Sequence, residues 1–308
     1  MKAKVYKSTG SWYILKDDAG RFWNGRMKGV MKLDDITSTN PIAVGDWVEA
    51  EIENEEDKTA IIDEIFDRHN YINRQSPRHK HQHHIVAANL DQSMLVATLK
   101  EPKTSQGFID RFLVASEMYH VTPFIVFNKS DLYRNKEMEK YELWKAMYEA
   151  VGYKVFLISA EKKEGVNEVL ELLKNKITLI SGHSGVGKSS FLNVVFPEIN
   201  LKTQDVSGWS GKGQHTTTFA EMYDLPFGGS IIDTPGMREF GLVDIGKQEL
   251  SHYFPEMRDR LNSCQFNNCL HINEPDCAIK DAVRNGEIHE DRYVSYVGIF
   301  DSIEQKSY

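Results

Sequence analysis

The spacing of apolar residues changes character three times along the 308 residues. From 1 to 68 the apolar positions come in short alternating runs. Ser11-Trp12-Tyr13-Ile14-Leu15 precedes the turn Asp17-Asp18-Ala19-Gly20, and Arg21-Phe22-Trp23 resumes the extended run. Gly45-Asp46-Trp47-Val48-Glu49-Ala50-Glu51-Ile52 alternates apolar and polar side chains, the period of a half-buried strand. The polar stretch Glu53 to Lys58 predicts a turn, and Ala60-Ile61-Ile62 continues beyond it. About five short strands with no helix between them predict a small barrel, with the OB fold as the leading form. Such barrels serve as spacers, docking modules or nucleic-acid readers, so the pattern leaves the role open.

Residues 69–84 break that rhythm. Arg74, Arg78 and Lys80 lie among His69, His79, His81, His83 and His84, and Pro77 interrupts them. The stretch predicts a linker or loop facing solvent or RNA, with a histidine metal site as the alternative.

From 85 to 249 strands alternate with helices. Met94-Leu95-Val96-Ala97, Phe124-Ile125-Val126-Phe127, Val155-Phe156-Leu157-Ile158, Ile177-Thr178-Leu179-Ile180 and Ser230-Ile231-Ile232 are continuous apolar runs. Ile109, Phe112, Leu113 and Ser116 mark one helical face, and Val166, Val169, Leu170 and Leu173 another. This pattern predicts a parallel sheet covered on both faces, with ligands beyond the carboxyl ends of its strands. Residues 250–308 are polar and cysteine-bearing, then helical. Ala278 to Asn285 followed by Gly286 predicts a helix with its stop signal, and Tyr293, Tyr296 and Phe300 predict a last packed helix.

Composition narrows the class. The length suffices for two or three domains with real cores. Met1 to Gly10 has no apolar core of a signal peptide, and no apolar run is long enough to span a membrane. The three cysteines all lie between Cys264 and Cys277, which excludes a disulfide framework and fits a reducing, cytoplasmic setting. A net charge of −8 argues against a broadly basic nucleic-acid binder and leaves room for local basic patches, for which Arg74, Arg78 and Lys80 are candidates.

The candidate chemistry sits at strand ends. Gly182-His183-Ser184-Gly185-Val186-Gly187-Lys188-Ser189, followed by Ser190, is a complete phosphate loop. Its glycines let the backbone bend so that amides point at phosphates. Lys188 is placed to reach the β and γ phosphates, and Ser189 to ligate Mg²⁺. Asp233-Thr234-Pro235-Gly236 also follows a strand. Asp233 would hold Mg²⁺ through water, and the Gly236 amide would sense the γ-phosphate. Between them, Gly211-Lys212-Gly213-Gln214-His215-Thr216-Thr217-Thr218 has the glycines and hydroxyls of a switch loop. Asn128-Lys129-Ser130-Asp131 has the form that reads guanine. The Asp131 carboxylate can accept from the ring N–H and the exocyclic amine, Asn128 steadies the loop, and the Lys129 stem covers the ring. Ser159-Ala160 would supply an amide near the guanine carbonyl. This motif lies upstream of the phosphate loop, the reverse of the ordinary order. Either one motif is accidental or the domain is circularly permuted. Met237 stands where many GTPases carry a water-orienting glutamine, and a thioether cannot do that task. His215 is the local candidate for it, with phosphate or RNA contact as the alternative.

These residues together resemble the circularly permuted ribosome small-subunit-dependent GTPases, the RsgA/YjeQ family. The resemblance rests on Asn128–Asp131, Gly182–Ser190, Gly213–Thr218, Asp233-Thr234-Pro235-Gly236-Met237-Arg238-Glu239, the cysteine cluster and Ile109-Asp110-Arg111-Phe112-Leu113. It implies an OB barrel, a permuted GTPase domain and a small helical zinc domain, which the pattern along the chain bounds at 1–68, 85–249 and 250–308 with a linker at 69–84. It implies a GTP hydrolase acting late in maturation of the small ribosomal subunit and stimulated by it, with His215 catalytic and Thr217 the switch threonine on Mg²⁺. The expected partners are the small subunit, its rRNA and other assembly factors, with the chain monomeric and no membrane involved. Cys264, Cys269, His271 and Cys277 form C-x₄-C-x-H-x₅-C, a closed set for structural Zn²⁺, with free thiols or a single disulfide as alternatives. Two rival functions stay open: an RNA-binding nucleotide switch with negligible catalysis, and an ATP-driven enzyme with an accidental Asn128–Asp131.

Overall fold

The computed structural model describes residues 1–28, 41–75, 83–196, 220–233 and 245–303. Strands β1 (Lys2–Ser8), β2 (Tyr13–Asp17), β3 (Phe22–Met27), β4 (Trp47–Asn54) and β5 (Thr59–Ile65) close an OB-like barrel. β1 pairs antiparallel with β2 and β4, β2 with β3 and β4 with β5, while β3 and β5 run parallel. The alternating pattern explains the closure. Tyr13, Leu15, Trp23, Val48, Ala50, Ala60 and Ile62 all turn inward and are buried together. The chain leaving the barrel is tied back to it by a buried carboxylate. Asp46 accepts from the Ala43 amide at 2.8 Å and from Arg68 Nε and Nη2 at 2.6 Å each.

The expected linker is corrected in its described parts. β6 (Tyr71–Gln75) and β7 (His83–Ala88) pair as an antiparallel ribbon. Ile72 is fully buried there and packs with Val44, Ala87, Leu179 and Ile232, under the central sheet. The polar and histidine-rich composition hides this, because among the described residues Ile72 and the Ile85–Ala88 run carry the apolar burial. Arg78, Lys80, His79 and His81 lie outside the described residues.

The central sheet then alternates with helices: β8 (Gln92–Ala97), α1 (Gln106–Met118), β9 (Thr122–Phe127), α2 (Asn135–Ala150), β10 (Lys154–Leu157), α3 (Val166–Leu173), β11 (Ile177–Ser181), α4 (Lys188–Val195), β12 (Glu221–Asp224) and β13 (Ser230–Asp233). Its order is β10-β9-β8-β11-β13-β12, parallel except for β12. α1 and α2 cover one face, and α3 and α4 the other. β12 also bridges β1 at Lys7 and Glu221, so the central sheet runs on into the barrel.

α5 (Pro255–Arg258), α6 (Ala278–Arg284) and α7 (Glu290–Ser302) complete the fold. Gly286 takes a positive φ of 74° just past α6, the stop expected there. Tyr296 and Phe300 bury α7 in a cluster that includes Val114 of α1. The joint also carries charge. Arg292 of α7 is buried and donates to Glu256 Oε1 at 2.7 Å and to Asp110 of α1, which also accepts from Tyr148 at 3.0 Å. No described helix is long and apolar enough to cross a membrane.

Candidate functional site

The strand-end motifs converge on one place. β11 ends at Ser181, the chain turns through Gly182–Gly187, and α4 begins at Lys188. A Cβ on Gly182 would collide with the Val96 carbonyl oxygen, and one on Gly187 with the Asn128 amide nitrogen. Both glycines also have positive φ, 146° and 92°. The first turn of α4, with Ser189 and Ser190, has no side-chain cap and no acidic residue. Its amides therefore remain an anion-binding helix N-terminus.

Lys188 folds back over the loop and donates to the carbonyls of Gly182 at 2.6 Å and His183 at 3.0 Å. Burial holds its pKa below the ordinary lysine value, against the opposing charge of Asp233. A phosphate placed there would restore the favourable environment for the ammonium. Asp233 ends β13 directly opposite Ile180 of β11, which places it beside the loop. The His183 ring lies against Phe108 of α1 at a centroid distance of 3.7 Å with the planes tilted by 31°, and burial lowers its pKa.

Asn128 joins three motifs. Its Nδ2 donates to the Val186 carbonyl at 2.9 Å, and its Oδ1 accepts from the Ala160 amide at 3.0 Å. Asp131 accepts from the Ser159 hydroxyl at 2.5 Å, and that hydroxyl accepts from the Lys162 amide at 3.1 Å. Lys129 adopts φ 66° and donates to the Glu101 carbonyl at 2.5 Å. The phosphate loop, Asn128–Asp131 and Ser159-Ala160 are therefore one assembly. Ser184, Gly185 and Val186 lie inside its loop. His215, Thr217, Gly236 and Met237 fall outside the described residues. Sequence reasoning missed two contacts of this assembly: Phe108 against His183, and Tyr133, whose hydroxyl donates to the Asn128 carbonyl at 2.8 Å. Neither residue belongs to a nucleotide motif, and only the folded contact reveals them.

A second cluster lies between α5 and α6. The ligand atoms of Cys264, Cys269, His271 and Cys277 all lie within 4.8 Å of one another. Cys264 Sγ is 4.0 Å from Cys277 Sγ and 3.6 Å from His271 Nδ1, and Cys277 Sγ is 3.4 Å from that nitrogen. A tetrahedral ion with metal–sulfur bonds of about 2.3 Å needs sulfur–sulfur edges of about 3.8 Å, so this donor set fits. All three thiols are free rather than paired in a disulfide. Burial raises the Cys269 thiol to about 12 and lowers His271 below its ordinary value, so an incoming metal ion would have to displace the thiol proton as it binds. The loop is held by Glu274, which accepts from the amides of Leu270, Ile272 and Asn273 at 2.8–3.1 Å, and by the Tyr293 hydroxyl on the His271 carbonyl at 2.7 Å. Among the described residues no other cysteine, histidine and carboxylate group is gathered this way.

A family model described as RsgA GTPase matches residues 65–243, and one described as RsgA N-terminal domain matches residues 2–62. The chain belongs to the RsgA GTPase family. The relative from Cytophaga hutchinsonii, named small ribosomal subunit biogenesis GTPase RsgA, is 50% identical over 97% of each chain. The crystal structure of YjeQ from Thermotoga maritima superposes with a TM-score of 0.80 at 33% identity, covering 99% of both chains. That of YloQ, titled a circularly permuted GTPase, superposes at 0.75 with 29% identity over 100% of this chain and 96% of its own. The reversed motif order is thus a circular permutation, not an accident, and the reading as an ATP-driven enzyme falls away. The protein is a GTPase of the RsgA family with an N-terminal OB-like barrel.

Proposed function

We propose that this RsgA-family GTPase acts late in assembly of the small ribosomal subunit, docks on its rRNA with GTP bound, and leaves after hydrolysis. The observation that carries the nucleotide half is Asn128, bonded at once to Val186 of the phosphate loop and to Ala160. In this reading Asp131 accepts from the guanine edge, the Lys129 stem covers the ring, and Ser159 and Ala160 close the base pocket. Gly182 to Ser190 wrap the phosphates, and Lys188 turns from its two carbonyls to the β and γ oxygens. Ser189, Thr217 and Asp233 would hold Mg²⁺, which when bound neutralises charge on the phosphates. Met237 cannot orient water, and His215 takes that role in our reading. The Gly236 amide would report the γ-phosphate to the switch.

The barrel surface supports RNA contact despite the acidic net charge. Lys2 and Lys4 lie over the Trp47 ring at 4.8 and 4.5 Å, while Lys16, over Tyr6 and Phe22 at 5.3 and 5.4 Å, is ion-paired with Asp224. Trp12 is 52% exposed and available to stack on unpaired bases, while Phe22, 47% exposed, lies edge-on to Tyr6. The proposed division is barrel 1–68, GTPase domain 85–249 and zinc domain 250–308, working as a monomer in the cytoplasm, alongside other assembly factors.

Cys264, Cys269, His271 and Cys277 would hold one structural Zn²⁺, and binding it stabilises the small C-terminal unit. Elemental analysis of the purified protein should find one equivalent of zinc per chain. Cys277→Ser should lose that zinc and the protease resistance of residues 245–303. A full-length protein with no metal and unchanged resistance would contradict the assignment.

A further inference from the structure

Four polar groups of Asn128 face four different segments. Its side chain holds Val186 and Ala160, and its amide donates to the Ala97 carbonyl at 2.9 Å. Its own carbonyl accepts from Tyr133 at 2.8 Å, and the same Tyr133 oxygen accepts from the Leu99 amide at 2.9 Å. Leu99 belongs to the loop that joins β8 to α1, a segment outside every nucleotide motif.

That loop is closed on itself. The Thr98 amide donates to Thr104 Oγ1 at 3.0 Å, the Thr104 amide returns to the Thr98 carbonyl at 2.8 Å, and the Thr98 hydroxyl donates to the Pro102 carbonyl. Thr98 and Thr104 are buried. The loop also grips both halves of the site. Glu101 receives Lys129 at 2.5 Å, and Lys100 donates to the Leu132 carbonyl at 3.2 Å. On the other side Pro102 sits where a Cβ on Gly185 would come within 3.5 Å. Thr98–Thr104 therefore lies against the guanine-reading loop and the phosphate loop together, and Tyr133 is the side chain that ties them.

We infer that Tyr133 is a positioning residue of the nucleotide site, holding Asn128 against the Thr98–Thr104 loop so that the base and phosphate pockets keep one spacing. A tyrosine that merely fills space would need only its ring. Here the ring packs on the core beside α2, and the hydroxyl is used as both donor and acceptor. Burial raises its pKa above the ordinary tyrosine range, so it stays protonated and remains a donor throughout the working pH range. Tyr133→Phe keeps the ring and leaves the Asn128 carbonyl and the Leu99 amide without their partner, both in a buried place. The effect falls on binding rather than on the chemical step, because Lys188 and the γ-phosphate groups are untouched.

The inference rests on the guanine-loop reading, so the full-length protein is tested with two kinds of variant. Tyr133→Phe should raise the KM for GTP and the Kd for GDP about tenfold and leave kcat within about twofold. Thr104→Val, which loosens the loop without touching Asn128, should move both in the same direction by about threefold. Asp131→Asn, with one acceptor where two are needed, should weaken GDP by at least about 100-fold and erase the preference over ADP. An unchanged KM in both Tyr133→Phe and Thr104→Val, with only the melting temperature lowered, would overturn the positioning role. If Asp131→Asn left purine preference unchanged, the guanine-loop reading itself would fail, whatever Tyr133→Phe did.

Discussion

Lys188→Ala is expected to cut GTP turnover by about 10²–10³-fold, the loss seen when one preorganised charge at a transition state is removed. The argument begins with the loop. Gly182 and Gly187 allow the backbone to fold so closely that Val96 and Asn128 leave no room for a side chain. Lys188 is then delivered at the first position of α4, with its ammonium on two loop carbonyls instead of in water. Burial depresses its pKa. A folded-state pKa below the unfolded one makes the charged lysine a cost to folding at pH values below both, and that cost fades as pH rises through the folded pKa. Removing it should therefore not lower the melting temperature of the nucleotide-free protein at neutral pH. The stabilisation gained from GDP should shrink, since ligand binding is linked to folding by mass action. Turnover within about threefold of the parent would show that Lys188 is not placed on the transferring phosphate.

Arg292→Met is expected to destabilise the C-terminal unit by about 3–5 kcal/mol. Arg292 is buried between Glu256 of the segment before the cysteine cluster and Asp110 of α1. Its guanidinium also lies 4.7 Å from the centre of the Phe254 ring. The substitution keeps apolar volume but strands two buried carboxylates, and an uncompensated buried charge costs far more than a pair contributes. Burial already pushes the Asp110 carboxyl upward. Without the arginine, folding should favour the protonated form of Asp110. The variant's deficit should then be largest above the raised folded-state pKa of Asp110 and narrow as pH falls below it toward the ordinary carboxylate value. Hydrogen exchange is the direct readout: α7 and α6 should lose protection before β8, β9 and β11 do. Equal protection in the variant and the parent would mean that the triad adds nothing to the joint.

The sheet and its motifs were legible because each buried strand is a continuous apolar run ending at a polar site. Phe124–Phe127 running into Asn128, and Ile177–Ile180 running into the phosphate loop, are of that kind. The barrel was legible from its period-two runs. What escaped notice is long-range and polar. The β6–β7 ribbon hides in a stretch of histidines and arginines. The bridge from β12 to β1 joins residues 214 positions apart through Lys7 and Glu221, and no local pattern announces it. Asp110 was noted only as part of a family segment, and Arg292 not at all, because charged residues on a helix read as its solvent face. Tyr133 escaped because its function lies in one hydroxyl that meets Leu99 and Asn128 only after folding.

The central claim is that the small ribosomal subunit is both the docking site and the trigger for hydrolysis. It is tested most directly by measuring GTP turnover of the full-length protein alone and with purified small ribosomal subunits, with large subunits as the control. The account predicts at least about a tenfold rise in kcat with small subunits, none with large ones, and no rise for Lys188→Ala. Turnover that is unchanged by small subunits, or raised equally by large ones, would contradict it.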